Sequence, residues 1–223
     1  MTQAQALLAC QNLTAGYGAA RVVFGLDLQV QQGEAVALTG SNGAGKSSTL
    51  KALMGLMPHR TGRIVFAGQD ISAFAPYQAA RCGLGFVPED RRIFSELTVL
   101  ENLQVGIQAP RTWPNGQAAP HWNLDKVFEL FPNLADMPHR LGAQMSGGEQ
   151  QMLSIARTLM GNPLLLLLDE PSEGVAPVIV EQLARAILNM KRQGVSILLS
   201  EQNLAFANLV CDRQYNLIKG QLI

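Results

Sequence analysis

Apolar positions along the chain fall into short runs whose period switches between two and a helical repeat, and that switching lays out the elements. Leu7 to Thr14 and Val23 to Val30 alternate apolar with polar residues. They predict an antiparallel strand pair, with Gly16, Tyr17 and Gly18 in the turn between them. Ala35 to Thr39 is short and continuously apolar and predicts a strand. A Gly-rich loop follows, then a helix expected to run to about Met57, where Pro58 stops it. Arg63 to Ala67 resumes strand character, Gly68 with Asp70 makes a turn, and Leu84 to Val87 predicts another short strand ended by Pro88.

From about Thr98 to Met160 the pattern is mostly helical, with helices expected over Leu124 to Phe131 and Gly147 to Met160. Ala109 to Pro120 interrupts it. Three prolines with Asn115 and Gly116 predict an exposed irregular loop there. Strand Leu164 to Leu168, helix Pro177 to Arg192, strand Val195 to Ser200 and a last strand near Gln214 to Ile218 complete the chain. Strands alternating with helices on both sides of a helical stretch predict an α/β fold. It has a mostly parallel covered sheet, an antiparallel N-terminal part and an inserted helical part. One domain over 1–223 is expected, with the core at about 1–88 and 162–223 and the helical part at about 89–161. No regulatory domain is expected beyond Ile223.

Composition narrows the function classes. Hydrophobic residues make up 48% and charged residues 15% of the 223, yet no apolar run reaches the ~18 residues that span a bilayer. The stretch Met1 to Ala6 lacks the basic and apolar regions of a signal peptide, so export is not expected and any membrane role has to come through a partner. With 17 basic and 17 acidic residues there is no electrostatic case for a nucleic-acid partner. Cys10, Cys82 and Cys211 are scattered and match neither a disulfide framework nor a zinc pattern, which predicts reduced thiols in a cytosol.

Gly40-Ser41-Asn42-Gly43-Ala44-Gly45-Lys46-Ser47, followed by Ser48, fits G-x-x-x-x-G-K-[ST] and sits between a predicted strand and a predicted helix. The glycines permit positive φ and close backbone approach, so successive N–H groups can face phosphate oxygens. The helix beginning near Lys46 turns its positive end to the same anion. Lys46 adds a full charge at the outer phosphates, and Ser47 a hydroxyl for magnesium. A chance match of this kind is expected in on the order of one chain in a hundred of this length, before the strand–loop–helix setting is counted. The run Leu164 to Leu168 then delivers Asp169 at a strand's carboxyl end, where parallel sheets place ligands. Asp169 is expected to hold magnesium through water, and Glu170 to polarise the attacking water. Taken alone, two carboxylates ending a strand are more often merely solvated. The phosphate loop in the same chain reverses that balance.

Ser146-Gly147-Gly148-Glu149-Gln150 opens a helix, and two glycines after a Ser N-cap predict exposed N–H groups, a second anion site. With the phosphate loop before it and Leu-Leu-Leu-Asp-Glu-Pro after it, the chain resembles the ATP-binding subunits of ABC transporters over essentially its whole length. The resemblance implies the ABC ATPase fold on a P-loop NTPase core, with ATP and Mg2+ as ligands. It implies that Ser146, Gly147, Gly148 and Gln150 act in trans on the nucleotide of a partner ATPase, and that Glu170 and Gln202 are catalytic. It also implies metal contacts from Ser47, Glu89 and Asp169. Tyr17 matches the family's adenine-stacking aromatic. A turn tyrosine packing on the strand pair is the competing reading, and its place before the second strand favours adenine.

Gly85 to Phe94, Leu97 to Leu103, Pro171 to Pro177 and Glu201-Gln202-Asn203 resemble the branched-chain amino-acid uptake branch, and within it the shorter of two ATPase subunits. That implies integral-membrane permease subunits, a paralogous ATPase or a second copy as dimer partner, and indirectly a periplasmic substrate-binding protein. It places the chain peripherally at the cytoplasmic face of the inner membrane. Glu89 stands where most of the wider family has glutamine, Gln202 where it has histidine, Ala176 where it has aspartate, and Met145 where leucine is more usual. Gln202 can donate a hydrogen bond but carries no positive charge. Arg91 and Arg92 read equally as part of a docking surface for membrane subunits or as a solvated patch. A soluble ABC ATPase of DNA repair or translation would need a second ATPase unit or a long coiled coil, and a phosphate-loop kinase would have no use for the Ser-Gly-Gly helix.

Overall fold

A computed structural model describes residues 6–223, so the reading of Met1 to Ala6 falls, except for Ala6, outside the described residues. Strands β1 (Leu8–Tyr17) and β2 (Ala20–Val30) pair antiparallel. Both extend further toward the turn than the alternation predicts, so Tyr17 ends a strand opposite Ala20 and only Gly18 and Ala19 turn the chain. β3 (Ala35–Thr39) leads through the phosphate loop into α1 (Lys46–Met54). This helix ends at Gly55, which takes φ 85° and caps the last turn, before Pro58 can act. β4 (His59–Phe66) and the short β5 (Gln69–Asp70) return to the antiparallel sheet, whose order is β2-β1-β4-β5.

After α2 (Pro76–Arg81) comes β6 (Leu84–Val87), then α3 (Val99–Val105), α4 (Leu124–Leu130), α5 (Pro132–Ala135) and α6 (Gly147–Leu159). β7 (Leu165–Asp169), α7 (Pro177–Arg192), β8 (Ser196–Glu201), α8 (Leu204–Val210), β9 (Arg213–Ile218) and β10 (Gln221–Leu222) follow. The second sheet runs β10-β9-β3-β8-β7-β6, parallel throughout except for the β9–β10 pair. Among the described residues no helix is long and apolar enough to cross a membrane.

The parallel sheet is covered on both faces, and that explains why its central strands read as unbroken apolar runs. Alternate side chains go to opposite faces. Val36, Leu38, Leu165, Leu167 and Leu198 pack into a core shared with α1 and the antiparallel sheet. Ala35, Ala37, Leu166, Leu168, Ile197 and Leu199 pack into a second core under α6, α7 and α8. Each fully buried leucine contributes about 1.5–3 kcal/mol. The carboxyl ends of β3 and β7 are thereby held side by side across β8, which positions the site.

The 109–120 segment is irregular, as expected, but it is not simply exposed. Trp113 and Ala119 are buried against the first core, and Thr112 bridges Ala118. Asn162 clasps its two ends together, accepting from the Trp122 backbone N–H at 2.7 Å and donating to the Gln108 carbonyl at 2.8 Å.

Candidate functional site

The phosphate loop takes the backbone that its glycines permit. Gly40 and Gly45 have φ of 154° and 105°. A Cβ on Gly40 would strike the Leu217 carbonyl, and one on Gly45 would come within 2.9 Å of the Val22 carbonyl, so larger residues are excluded by space as well as torsion. Gly45 is also the N-cap of α1, with no side chain bonded to the helix's first N–H groups. That leaves these donors for an anion. Ser41, Asn42 and Gly43 form the exposed crest, Ala44 is buried beneath it, and Ser47 and Ser48 are half-buried on the first turn of α1. Ser41 and Ala44 close the loop on each other through a 3.1 Å backbone bond.

Lys46 is almost fully buried and is held within the loop. Its Nζ donates to the Gly40 and Ser41 carbonyls at 2.9 and 3.1 Å and lies 3.1 Å from Glu170 Oε1. An ammonium so placed satisfies its three donors on the protein, and a phosphate entering the loop offers it stronger anionic partners.

Asp169 ends β7 in full burial. Its Oδ1 accepts from the Ser200 hydroxyl at 2.7 Å, whereas its buried Oδ2 has no partner. A buried carboxylate oxygen without a donor is costly and is a fitting site for a hydrated cation. Glu170 follows with φ 47°, a left-handed backbone for a non-glycine that costs on the order of 1–3 kcal/mol. Its N–H is fixed by both the Ser200 carbonyl and hydroxyl at 3.1 Å, so the strain is maintained by β8. Burial raises the Glu89 carboxyl above its ordinary value, and the charges of Glu170, Asp169 and Glu173 raise it further. Such convergent negative charge suits a divalent cation. Among the described residues no three His, Cys, Asp or Glu side chains form a metal site by themselves, so a cation held by Ser47, Glu89 and Asp169 would take its remaining ligands from phosphate and water.

Tyr17, at the end of β1, is half-exposed. It lines a cleft of about 510 Å³ together with Lys51, Leu56, Phe86, Glu89 and Asp169. Gln202 is exposed just beyond β8, and its N–H donates to Glu201 Oε1 at 2.9 Å. Ser146, Gly147, Gly148 and Gln150 do not line this cleft, and neither do residues 40–48, Glu170 or Gln202. Ser146 caps α6 reciprocally with Glu149. Gln150 donates to the Gly142 carbonyl at 3.1 Å.

Both signature glycines have close neighbours within the chain, a movable guanidinium at 147 and a packed isoleucine at 148. A Cβ at 147 would lie 2.8 Å from Arg91 Nη1, and one at 148 would lie 2.7 Å from Ile179 Cγ1. The Arg91-Arg92 pair also divides. The Arg91 guanidinium lies against Gly147 with a buried, unpartnered Nε, while Arg92 is exposed and pairs with Asp90 at 2.9 Å.

Ser200, Ser172 and Glu201 hydrogen-bond around Asp169, Glu170 and Gln202, a placement that pattern reading does not single out. The available signal is weak: Ser200 and Glu201 are polar residues that follow the apolar run Ile197 to Leu199.

Comparisons with known proteins agree with this architecture. A family model described as ABC transporter matches residues 23–173. The high-affinity branched-chain amino acid transport ATP-binding protein BraG of Pseudomonas aeruginosa is 39% identical, over 97% of this chain and 91% of that protein. The lipopolysaccharide export system ATP-binding protein LptB of Escherichia coli strain K12 is 35% identical, over 98% and 89%. Among solved structures, a nucleotide-free ATP-binding cassette from an ABC transporter superposes with a TM-score of 0.80 at 26% identity, over 98% of this chain and 90% of the other. A family match over most of the chain, full-length relatives and a shared fold converge on one assignment: the chain belongs to the ABC transporter family as an ATP-binding subunit that hydrolyses ATP to energise transport.

Proposed function

We propose that this subunit energises uptake of branched-chain or related amino acids from the cytoplasmic face of the inner membrane, where it is held peripherally by integral-membrane permease subunits. The observation that carries this reading is the 39% identity to BraG over 97% of the chain, joined to Glu89, Ala176 and Gln202, three departures from the wider family that resemble the branched-chain branch. A periplasmic substrate-binding protein would supply the cargo, and a paralogous ATPase or a second copy would complete the dimer.

In the same reading Tyr17 stacks on adenine, residues 40–48 hold the phosphates, and Mg2+ rests on Ser47, Asp169 and Glu89. Glu170 orients and deprotonates water, and Gln202 donates to the γ-phosphate. Ser146, Gly147, Gly148 and Gln150 meet the nucleotide of the partner ATPase. Residues 89–161 act as the helical subdomain of the single 1–223 domain.

A groove of about 720 Å³ supports the permease contact. Exposed Tyr77 and Phe94 line it with Arg81, Arg92, Arg111 and Arg157. Its only carboxylate partner in an ion pair among the described residues is Asp90, held by Arg92. An apolar groove rimmed by arginines suits a cytoplasmic segment of the membrane subunit that carries an acidic residue beside apolar ones.

The 35% identity to LptB favours lipopolysaccharide export as the second reading. Deleting the gene in its own cell and measuring radiolabelled leucine uptake separates the two. Lost uptake, restored by wild type and not by Lys46→Ala, supports amino-acid import. Normal uptake with defective lipopolysaccharide at the cell surface overturns it.

A further inference from the structure

Glu201 ends β8 at 1% exposure, and nothing in the proposed reaction uses it. No cation pairs with it among the described residues. A buried carboxylate without a counter-ion is expensive, and an apolar residue of similar size would ordinarily cost less. Burial raises its pKa, three hydrogen bonds oppose that, and the Glu170 charge adds to it.

What the carboxylate does is join two loops. Its Oε2 accepts from the Ser172 hydroxyl at 2.8 Å, two residues beyond Glu170. Its Oε1 accepts from the backbone N–H groups of Gln202 and Asn203 at 2.9 and 3.0 Å. Asn203 in turn caps α8, accepting from the Phe206 N–H at 3.1 Å. One carboxylate therefore spans from the turn after the proposed base to the turn that presents Gln202, and it is rooted by α8.

We propose that Glu201 is a positioning residue that locks the Gln202 turn to the loop following Glu170, so that the two groups keep a fixed relation across the γ-phosphate site. The inference rests on the catalytic reading of Glu170 and Gln202. Its structural content, a coupling between residues 172 and 202–203, can be tested separately.

Full-length Glu201→Ala, Glu201→Gln, Ser172→Ala and the Ser172→Ala/Glu201→Ala double variant are compared in ATP turnover, melting temperature and amide exchange. Because neighbours in one hydrogen-bond network couple strongly, kcat of Glu201→Ala is expected to fall about tenfold while KM for ATP stays within about twofold. Glu201→Gln, which keeps an acceptor for both N–H groups, is expected to restore most of kcat. The double variant is expected to be no worse than Glu201→Ala. Ser172→Ala is expected to speed exchange at Gln202 and Asn203, which it does not touch.

Unchanged exchange at those amides in Ser172→Ala, or a kcat loss that merely follows melting temperature across the series, overturns the proposal. A Glu170→Gln control that keeps turnover would instead show that the catalytic reading is wrong, and the exchange result would still decide the coupling.

Discussion

At the residue scale, the two oxygens of Asp169 differ sharply: Ser200 satisfies one, and the other is buried and unpartnered. Removing the hydroxyl in Ser200→Ala leaves a second buried oxygen without a donor, while Glu170 keeps its bond to the Ser200 carbonyl. Denaturant unfolding is expected to show a loss of about 1–3 kcal/mol, the cost of an unsatisfied buried group. No loss would mean that water replaces the hydroxyl. Burial pushes the thiols of Cys10 and Cys211 up to about 12. Since only thiolate reacts, a mild alkylating reagent at pH 8 is expected to label half-buried Cys82 first and to reach Cys10 only on unfolding. Mass spectrometry of early time points checks the order, and early Cys10 labelling would contradict it.

Also at this scale, Gly40, Lys46, Asp169 and Glu170 were legible in the sequence because each belongs to a motif whose spacing follows from phosphate chemistry. Ser200 and Glu201 were not, because a hydroxyl or carboxylate at a strand end acquires its role only when the neighbouring strand is known. The packing of Gly147 on Arg91 and Gly148 on Ile179 is illegible for the same reason: the partners lie far away in sequence.

Among elements, α7 occupies the predicted span Pro177–Arg192. Proline opens it, and the stripe Leu183, Ala186, Ile187 and Met190 is buried. Helices α2, α5 and α8 span 6, 4 and 7 residues, too few to develop a recognisable period, and they emerge only from tertiary packing. α7 starts with Ala176 at its N-cap and has no side-chain cap there. Ala176 is exposed with extended backbone, so Ala176→Asp is expected to gain about 1 kcal/mol from a cap bond and the helix dipole. A raised melting temperature confirms this, and an unchanged one would mean that the first turn of α7 is already satisfied. In β7, Leu166 is wholly buried in the second core, and Leu166→Ala is expected to cost about 2–5 kcal/mol in unfolding free energy.

For the whole molecule, the parallel sheet gathers the phosphate loop, Asp169 and Glu170 at one end, while the Ser-Gly-Gly segment opens α6 in the helical part of the chain. In the proposed reading the chain carries half of each of two nucleotide sites, and the cycle requires two ATPase subunits to close on each other. The decisive measurement is ATP turnover and molecular size of wild type and Glu170→Gln, with and without ATP. The account predicts that Glu170→Gln loses turnover by about 10²–10⁴-fold, the usual contribution of a general base. It also predicts that the variant still binds ATP and becomes a dimer only when ATP is present. A Glu170→Gln protein that hydrolyses ATP at the wild-type rate, or that stays monomeric with ATP bound, would contradict it.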